Sequence, residues 1–358
     1  MKRTLFLNLP FGRACSRSTM LKQVWHRSLL LAAFSFSHFL IFLSSCGGHT
    51  KSGTKADTIA MQSCPKFVAE NALRHIEAQC TLGPRVPGTA AWKACGDSIV
   101  AWFSALGLQV EEQKTTVTLY DGSQFPCRNI IACLNPNNAD RILLCAHWDS
   151  RPWADNDSDE SNHHTPVLAA NDGASGVAVM LELARILSAS DSIRTGIDFI
   201  CFDAEDCGTP QWYDGDHEAD SWCLGSQYWA RQAAESQYQA RFGILFDMVG
   251  GRGSTFSREG YSMQYASPVV EMLWHIAHQL GYGHYFPLRD SGFITDDHVR
   301  VNQIAQVPCI DIVPYHTDGP SSFGPTWHTI NDTPENIDPN VLEAVGQSVL
   351  QLIYNDSK

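Results

Sequence analysis

The chain lacks the compositional marks of a nucleic-acid binder, a disordered polymer and a metal-knuckle scaffold. Charged residues fill only 18% of its 358 positions, while hydrophobic residues fill 44% and aromatic ones 10%. That balance excludes a solvated, self-repelling chain, because there is enough apolar surface for a sizeable core. None of the 12 cysteines pairs with another in a CxxC spacing, which removes the common zinc-finger and redox signatures. Most cysteines stand inside apolar stretches, where a thiol behaves as a small hydrophobe. Cys207 and Cys223 differ, since they flank a polar loop where an oxidising compartment would allow a disulfide. A basic excess is missing too. Of 25 basic residues, six fall in the first 46 positions, which hold no acid, so the remainder carries 19 bases against 38 acids, a net of −19. A body so acidic repels phosphate backbones, and nucleic acid is excluded as a partner.

The apolar run at residues 29–43 is shorter than the roughly 20 residues a spanning helix needs. Basic residues precede it and small ones follow, the layout of an export-signal core. It ends in Leu43-Ser44-Ser45-Cys46, which resembles the lipobox of bacterial lipoproteins and implies that Cys46 is acylated as the mature N-terminus. Gly47 rather than Asp follows, which favours delivery to the outer membrane over retention in the inner one. The expected organisation is a signal peptide over 1–46, a flexible Gly/Ser/Thr/Lys tether over 47–63, and one periplasm-facing domain over 64–358. Met20 is an alternative start, because 28 residues are a long basic lead.

Periodicity predicts helices over 65–80 and 89–106, strands over 110–118, 128–134 and 141–145, a strongly amphipathic helix over 173–189, and a strand over 196–203. Two further buried strands are expected at 243–249 and 307–313. Helices over 268–280 and 339–354 each place Pro just inside a polar residue, Ser267 and Asp338. Strand and helix alternate, which argues for one α/β domain on a mostly parallel or mixed sheet, with no internal repeat.

Polar residues gather just past the predicted strand ends: His147 and Asp149, Asp172 before the amphipathic helix, Glu205 and Asp206, Asp247, and His328 after the last strand. In open α/β sheets the carboxyl ends of strands converge on the ligand crevice. Mixed imidazole and carboxylate donors there suit zinc rather than the all-oxygen shells of calcium or magnesium. Asp172, Asp206 and His328 form the candidate ligand set. Taken singly, Asp172 reads equally well as a helix cap and His328 as a surface residue. The acidic stretch 214–220 lacks the glycine and distal Glu of an EF-hand, so it reads as a solvated loop.

HWDSR, NDGASGVAVMLELAR, FDAED, FDMVG, TDDH and WHT occur in the order found in the zinc-dependent aminopeptidase family M28. The chain resembles that family from about Cys64 onward, and within it the glutaminyl cyclase branch. The resemblance implies an α/β/α sandwich and a single zinc-dependent catalytic domain over 64–358. It also implies an acyltransferase that converts the N-terminal Gln of peptides and proteins to pyroglutamate with release of ammonia. On that reading one zinc per chain sits on Asp172, Asp206 and His328. Glu205 is the general acid/base, Asp247 and Asp296 belong to a proton-handling network, and Trp327 and Trp212 wall the substrate pocket. Trp148 and Trp153, beside the catalytic motifs, fit an aromatic cage. His147 and Asp149 either take a second metal or hydrogen-bond to the ligands of the first. The alternative is a two-zinc M28 aminopeptidase, with His147, Asp172 and Asp247 around the second ion. Two departures from the family pattern stand out. Asp206 replaces the usual Glu, which shortens that ligand by one methylene, and Asp311 stands where animal cyclases place a His.

Overall fold

The computed structural model describes residues 59–215, 217, 219–319 and 321–357. The expected export signal, Cys46 and most of the expected tether lie outside these residues, as do Asp216 and Glu218 of the acidic loop. The described part falls within one compact unit, Lys55–Lys358.

Helices α1 (Ala69–Thr81) and α2 (Ala90–Ala105) precede a hairpin of β1 (Gln109–Thr118) and β2 (Gln124–Leu134). Then follow β3 (Arg141–His147), α3 (Ala174–Ser188), β4 (Gly196–Phe202), α4 (Leu224–Glu235) and β5 (Gly243–Phe246). The chain ends with α5 (Gly260–Gln279), α6 (Asp297–Gln303), β6 (Cys309–Ile312) and α7 (Pro339–Asp356). The sheet order is β1-β2-β4-β3-β5-β6. Strands β4, β3, β5 and β6 run parallel, and β1 and β2 pair antiparallel at one edge.

Alternation along the central strands sorts their side chains onto two faces. Ile142, Leu144 and Ala146 of β3 and Phe199 and Cys201 of β4 join the core with α1, α3, α5 and α7. Their neighbours Leu143, Cys145, Ile200 and Phe202 join the opposite core with Trp229 of α4 and Val301 of α6. Because both faces are covered, the strands read as continuous apolar runs. The result is the expected α/β/α sandwich over a mixed, mostly parallel sheet. Gly176 lets α3 settle against it, since a Cβ there would collide with the Phe246 carbonyl.

Two helices escape the sequence reading. Helix α4 follows Cys223, a left-handed N-cap without a side-chain hydrogen bond, and α6, although capped by Asp296, is only seven residues, most of them buried, so neither carries a periodic signal. Helix α5 begins at Gly260 rather than Pro268. Its backbone kinks at Ala266 (φ −144°, ψ 35°), and Pro268 sits just past that kink instead of opening the helix.

The cap of α5 is Glu259, fully buried. Its carboxylate accepts from the amides of Tyr261 at 2.8 Å, Ser262 at 2.6 Å and Ile294 at 2.9 Å, and pairs with His298 Nε2 at 3.1 Å. Burial works against the charge, but His298 and the backbone amides hold Glu259 down at about 2, against an ordinary 4.5. A folded-state pKa below the unfolded one stabilises above pH 4.5, and that stability drains away as pH falls toward 2. Glu259→Gln should therefore lose about 2–3 kcal/mol at pH 7. The gap to wild type should narrow by pH 3 in urea denaturation, and an equal gap at both pH values would count against this assignment.

Candidate active site

The parallel strands deliver the polar cluster from their carboxyl ends. His147 is the last residue of β3, Glu205 and Asp206 follow β4, and Asp247 follows β5. Asp172 comes from the loop before α3, Asp296 caps α6, and His328 lies in the connection between β6 and α7. The candidate ligand atoms of Asp172, Asp206 and His328 all lie within 4.8 Å of one another, as do those of His147, Asp172 and Asp247. His328 Nε2 is 2.9 Å from Asp206 Oδ1 and 3.6 Å from Asp172 Oδ2. His147 Nε2 is 2.9 Å from Asp172 Oδ1 and 3.3 Å from Asp247 Oδ1. Asp172 thus belongs to both groups. Gly173 permits the approach, because a Cβ there would meet the His147 carbonyl at 2.5 Å.

The donor set fits a cation. Both ring nitrogens of His147, Asp206 Oδ2 and Asp247 Oδ1 are buried without a hydrogen bond, although carboxylates and imidazoles crowd within ion-pair distance. Burial, then the neighbouring Asp206 charge, push Asp172 well above the carboxylate range. Burial lowers His328 and favours the neutral imidazole, which offers a lone pair. A positive charge at the centre would satisfy these groups together. Imidazole with carboxylate is the donor chemistry of catalytic zinc.

A second layer fixes the donors, and most of it was not legible as such. Asp149, fully buried, accepts from the amides of Glu205 at 3.1 Å and Asp206 at 3.2 Å. Its Oδ1 also lies 3.4 Å from His147 Nδ1. Asp149 is therefore a support of the cluster. Asp155 Oδ1 lies 3.5 Å from His328 Nδ1, and its carboxylate is gripped by the Arg151 guanidinium at 2.8 and 2.5 Å. Arg151 also donates to the carbonyl of Asp206 at 2.9 Å. Asp332 accepts from the amides of Asn171 at 2.8 Å and Asp172 at 3.0 Å. Such outer partners orient metal ligands and fix imidazole tautomers. Arg151 and Asp155 stand in and just after HWDSR, so their nearness to His147 was the only available signal. Asp332 had none.

A cavity of about 560 Å³ opens over the cluster, lined by Asp172, Glu205, Asp206, Asp247, Asp296 and His328 and by Trp222, Phe293, Tyr315, Phe323 and Trp327. Trp327 lies nearly parallel to the His328 ring at 3.8 Å, and Trp222 does so at 6.0 Å. The expected wall Trp212 is not among the lining residues; it packs edge-on against Trp153 at 5.7 Å and His164 at 4.5 Å. The reason is the path of the loop. The Cys223 amide donates to the Glu205 carbonyl at 3.0 Å, which brings Trp222 back to the pocket after the chain has swung out past Trp212. Trp148 is fully buried and stacks on Trp92, and Trp153 pairs with Tyr120 and Trp212, so neither belongs to a substrate cage.

Burial, then the adjacent Asp206 charge, push Glu205 well above the ordinary carboxylate range. Burial, with Asp247 next, pushes Asp296 up to about 6. Asp311 is fully buried on β6, its Oδ2 3.5 Å from His298 Nδ1, so an imidazole still stands in this network, contributed by His298. Cys207 and Cys223 are free thiols. Four non-glycine residues in the left-handed region adjoin the cluster, namely Ala204 (φ 53°), Cys223 (59°), Met248 (52°) and His328 (54°). Each costs about 1–2 kcal/mol, and such strain concentrates at functional sites.

Residues 129–353 match peptidase family M28. The chain belongs to that family. Among solved structures it is similar to glutaminyl cyclase of Bacteroides thetaiotaomicron bound to N-acetylhistamine, at 48% identity over 82% of this chain and 99% of that one, with a TM-score of 0.79. Glutaminyl cyclase of Tannerella forsythia matches at 47% identity, 81% and 99% coverage and a TM-score of 0.79. A Zn-dependent exopeptidase of Parabacteroides distasonis matches at 47% identity, 82% and 100% coverage and a TM-score of 0.80. The chain spans about half the length of the first curated relatives it matches. As an M28 member whose two donor groups both mix imidazole with carboxylate, it is a zinc-dependent protein of this family.

Proposed function

We propose that this M28 protein is a glutaminyl cyclase that closes the N-terminal Gln of peptides and proteins to pyroglutamate and releases ammonia. The observation that carries the reading is one pocket in which Glu205, beside the Asp172–Asp206–His328 group, faces two indoles parallel to the His328 ring. Similarity at 47–48% to structures solved as glutaminyl cyclases supports it.

In this reaction the substrate α-nitrogen attacks the side-chain amide carbon, a carbon–nitrogen bond forms to close the ring, and the bond to the amide nitrogen breaks. Glu205 takes a proton from the α-ammonium and returns it to the departing nitrogen, while the second proton shed by the ring-closing nitrogen passes to solvent or leaves with ammonia as ammonium; the shuttle suits a carboxylate raised above its ordinary range. Asp172, Asp206 and His328 would hold the zinc, which would supply Lewis-acid polarisation of the amide carbonyl. Trp222 and Trp327 hold the Gln residue folded, so that nucleophile and electrophile meet within one residue. Asp247 and Asp296 line the pocket beside Glu205 and complete the path for protons.

Trp327→Ala should weaken substrate binding by about 1–3 kcal/mol through lost aromatic burial, read as a higher inhibition constant for a competitive Gln analogue. An unchanged constant would remove Trp327 from the pocket wall.

The second reading, a two-zinc aminopeptidase, is favoured by the His147–Asp172–Asp247 group. A Gln-initiated dipeptide and a Leu-initiated chromogenic amide separate the two. Ammonia from the first, no amine from the second and one zinc per chain after dialysis support the cyclase. Amine release requiring two zinc ions supports the peptidase. We also propose export and acylation at Cys46, supported by the 29–43 run and its Leu43-Ser44-Ser45-Cys46 ending. The mass of the mature N-terminus decides that, and an unmodified Cys46 would rule out the anchor.

A further inference from the structure

We propose that Cys223 is a positioning residue for Glu205, its thiol holding the carboxylate in the orientation that proton transfer needs; this rests on the acid/base role proposed above for Glu205. Cys223 Sγ donates to Glu205 Oε1 at 3.2 Å. Among the described residues it is the side chain seen to donate a hydrogen bond to this carboxylate. The sulfur, the Glu205 carboxylate and the Asp296 carboxylate all approach within 4.8 Å.

The other nearby groups cannot do this work. Asp206 and Asp296 carry acceptors and, when ionised, repel Glu205. An unrestrained carboxylate next to a metal centre is drawn toward the ion, and a carboxylate that ligates the ion is no longer a free base. A neutral donor bonded to Glu205 Oε1 restrains the carboxylate without neutralising its charge. The thiol is suited to it: Cys223 is fully buried, and burial, reinforced by the Glu205 charge, pushes its pKa well up, so the proton stays on sulfur.

The backbone holds the thiol in register. The Cys223 amide donates to the Glu205 carbonyl at 3.0 Å and the Leu224 amide to the Ala204 carbonyl at 3.1 Å. Cys223 adopts φ +59° immediately before α4, a left-handed position where a non-glycine residue is strained. Gly225 lets the turn sit tightly, since a Cβ there would strike the Asp203 carbonyl. Strain retained with a side chain, where glycine would be relaxed, points to a use for that side chain. Cys207 instead makes a longer contact to Asp149 Oδ2, at 4.0 Å.

The test uses the full zinc-loaded chain as wild type, Cys223→Ala and Cys223→Ser, with ammonia release from a Gln-initiated dipeptide, zinc content and thermal melting measured for each. Cys223→Ala should lower kcat about tenfold while KM stays within about twofold and zinc content is unchanged. Cys223→Ser, which restores a donor in nearly the same volume, should recover kcat to within about threefold of wild type. A purely structural cysteine would give equal losses for Ala and Ser, or a loss that follows melting temperature, and either result overturns the proposal. So does a Cys223→Ala kcat within twofold of wild type. If Cys223→Ala loses zinc or fails to fold, Cys223→Ser decides alone: a folded, zinc-replete Ser variant more than tenfold slower than wild type overturns it. Absence of ammonia from the wild type would reject the cyclase reading and this proposal with it, whereas normal wild-type turnover with an unaffected Ala variant rejects only this one.

Discussion

Glu205→Gln should lower turnover at least ~100-fold, the range typical of a positioned general base, while zinc content and KM stay near wild type. The substitution keeps the shape of the side chain and removes its ability to accept the ammonium proton. The Asp149 carboxylate that anchors the 205 and 206 amides is untouched, so Asp206 should hold its place. A loss in kcat without a loss of metal therefore reports proton transfer rather than collapse of the site. Near wild-type cyclisation by a zinc-replete Glu205→Gln enzyme would show that the proton travels elsewhere. Asp296, which burial and Asp247 raise to about 6, would be the next carrier, and Asp296→Asn would then give the large effect.

What the sequence made legible follows from where information is local. His147, Asp172, Glu205, Asp206 and Asp247 each lie at or beside the end of a strand or the start of a helix, and the alternation of apolar runs announces those ends. The parallel sheet brings them together without further instruction. Trp327 was legible because it adjoins His328. Trp222 was not, because ten residues separate it from the wrong candidate Trp212 in a loop with no period. Only the long-range pairing of Cys223 with Glu205 chooses between them. Asp332 was invisible for the same reason, since its grip on Asn171 and Asp172 spans about 160 residues. The kink in α5 was misread because Pro268 is as good at a helix start as just past a bend.

Asp172 is the residue whose removal should do most damage, because it is shared by both donor groups. Asp172→Asn should abolish tight zinc binding and lower activity by at least ~1000-fold, since a bound catalytic metal is worth several kcal/mol of barrier. A ligand change that leaves one group whole behaves differently. On the single-zinc reading, His147→Gln keeps its one equivalent of metal, because Asp172, Asp206 and His328 remain; on the two-zinc reading it falls from two equivalents to one. Stability gives an independent check with a definite sign. In the metal-free protein burial, with Asp206, raises Asp172 well above its ordinary value. Its ionised form is therefore disfavoured by folding, and apo stability declines as pH rises past the unfolded pKa. Asp172→Asn removes that buried charge, so the apo variant should melt at or above the temperature of apo wild type at pH 7. Zinc should raise the melting temperature of wild type and leave that of the variant unchanged. A variant that melts well below apo wild type would show that the Asp172 carboxylate is not a cost to the apo fold, and one that still gains stability from zinc would show that the metal is held by groups other than those converging on Asp172.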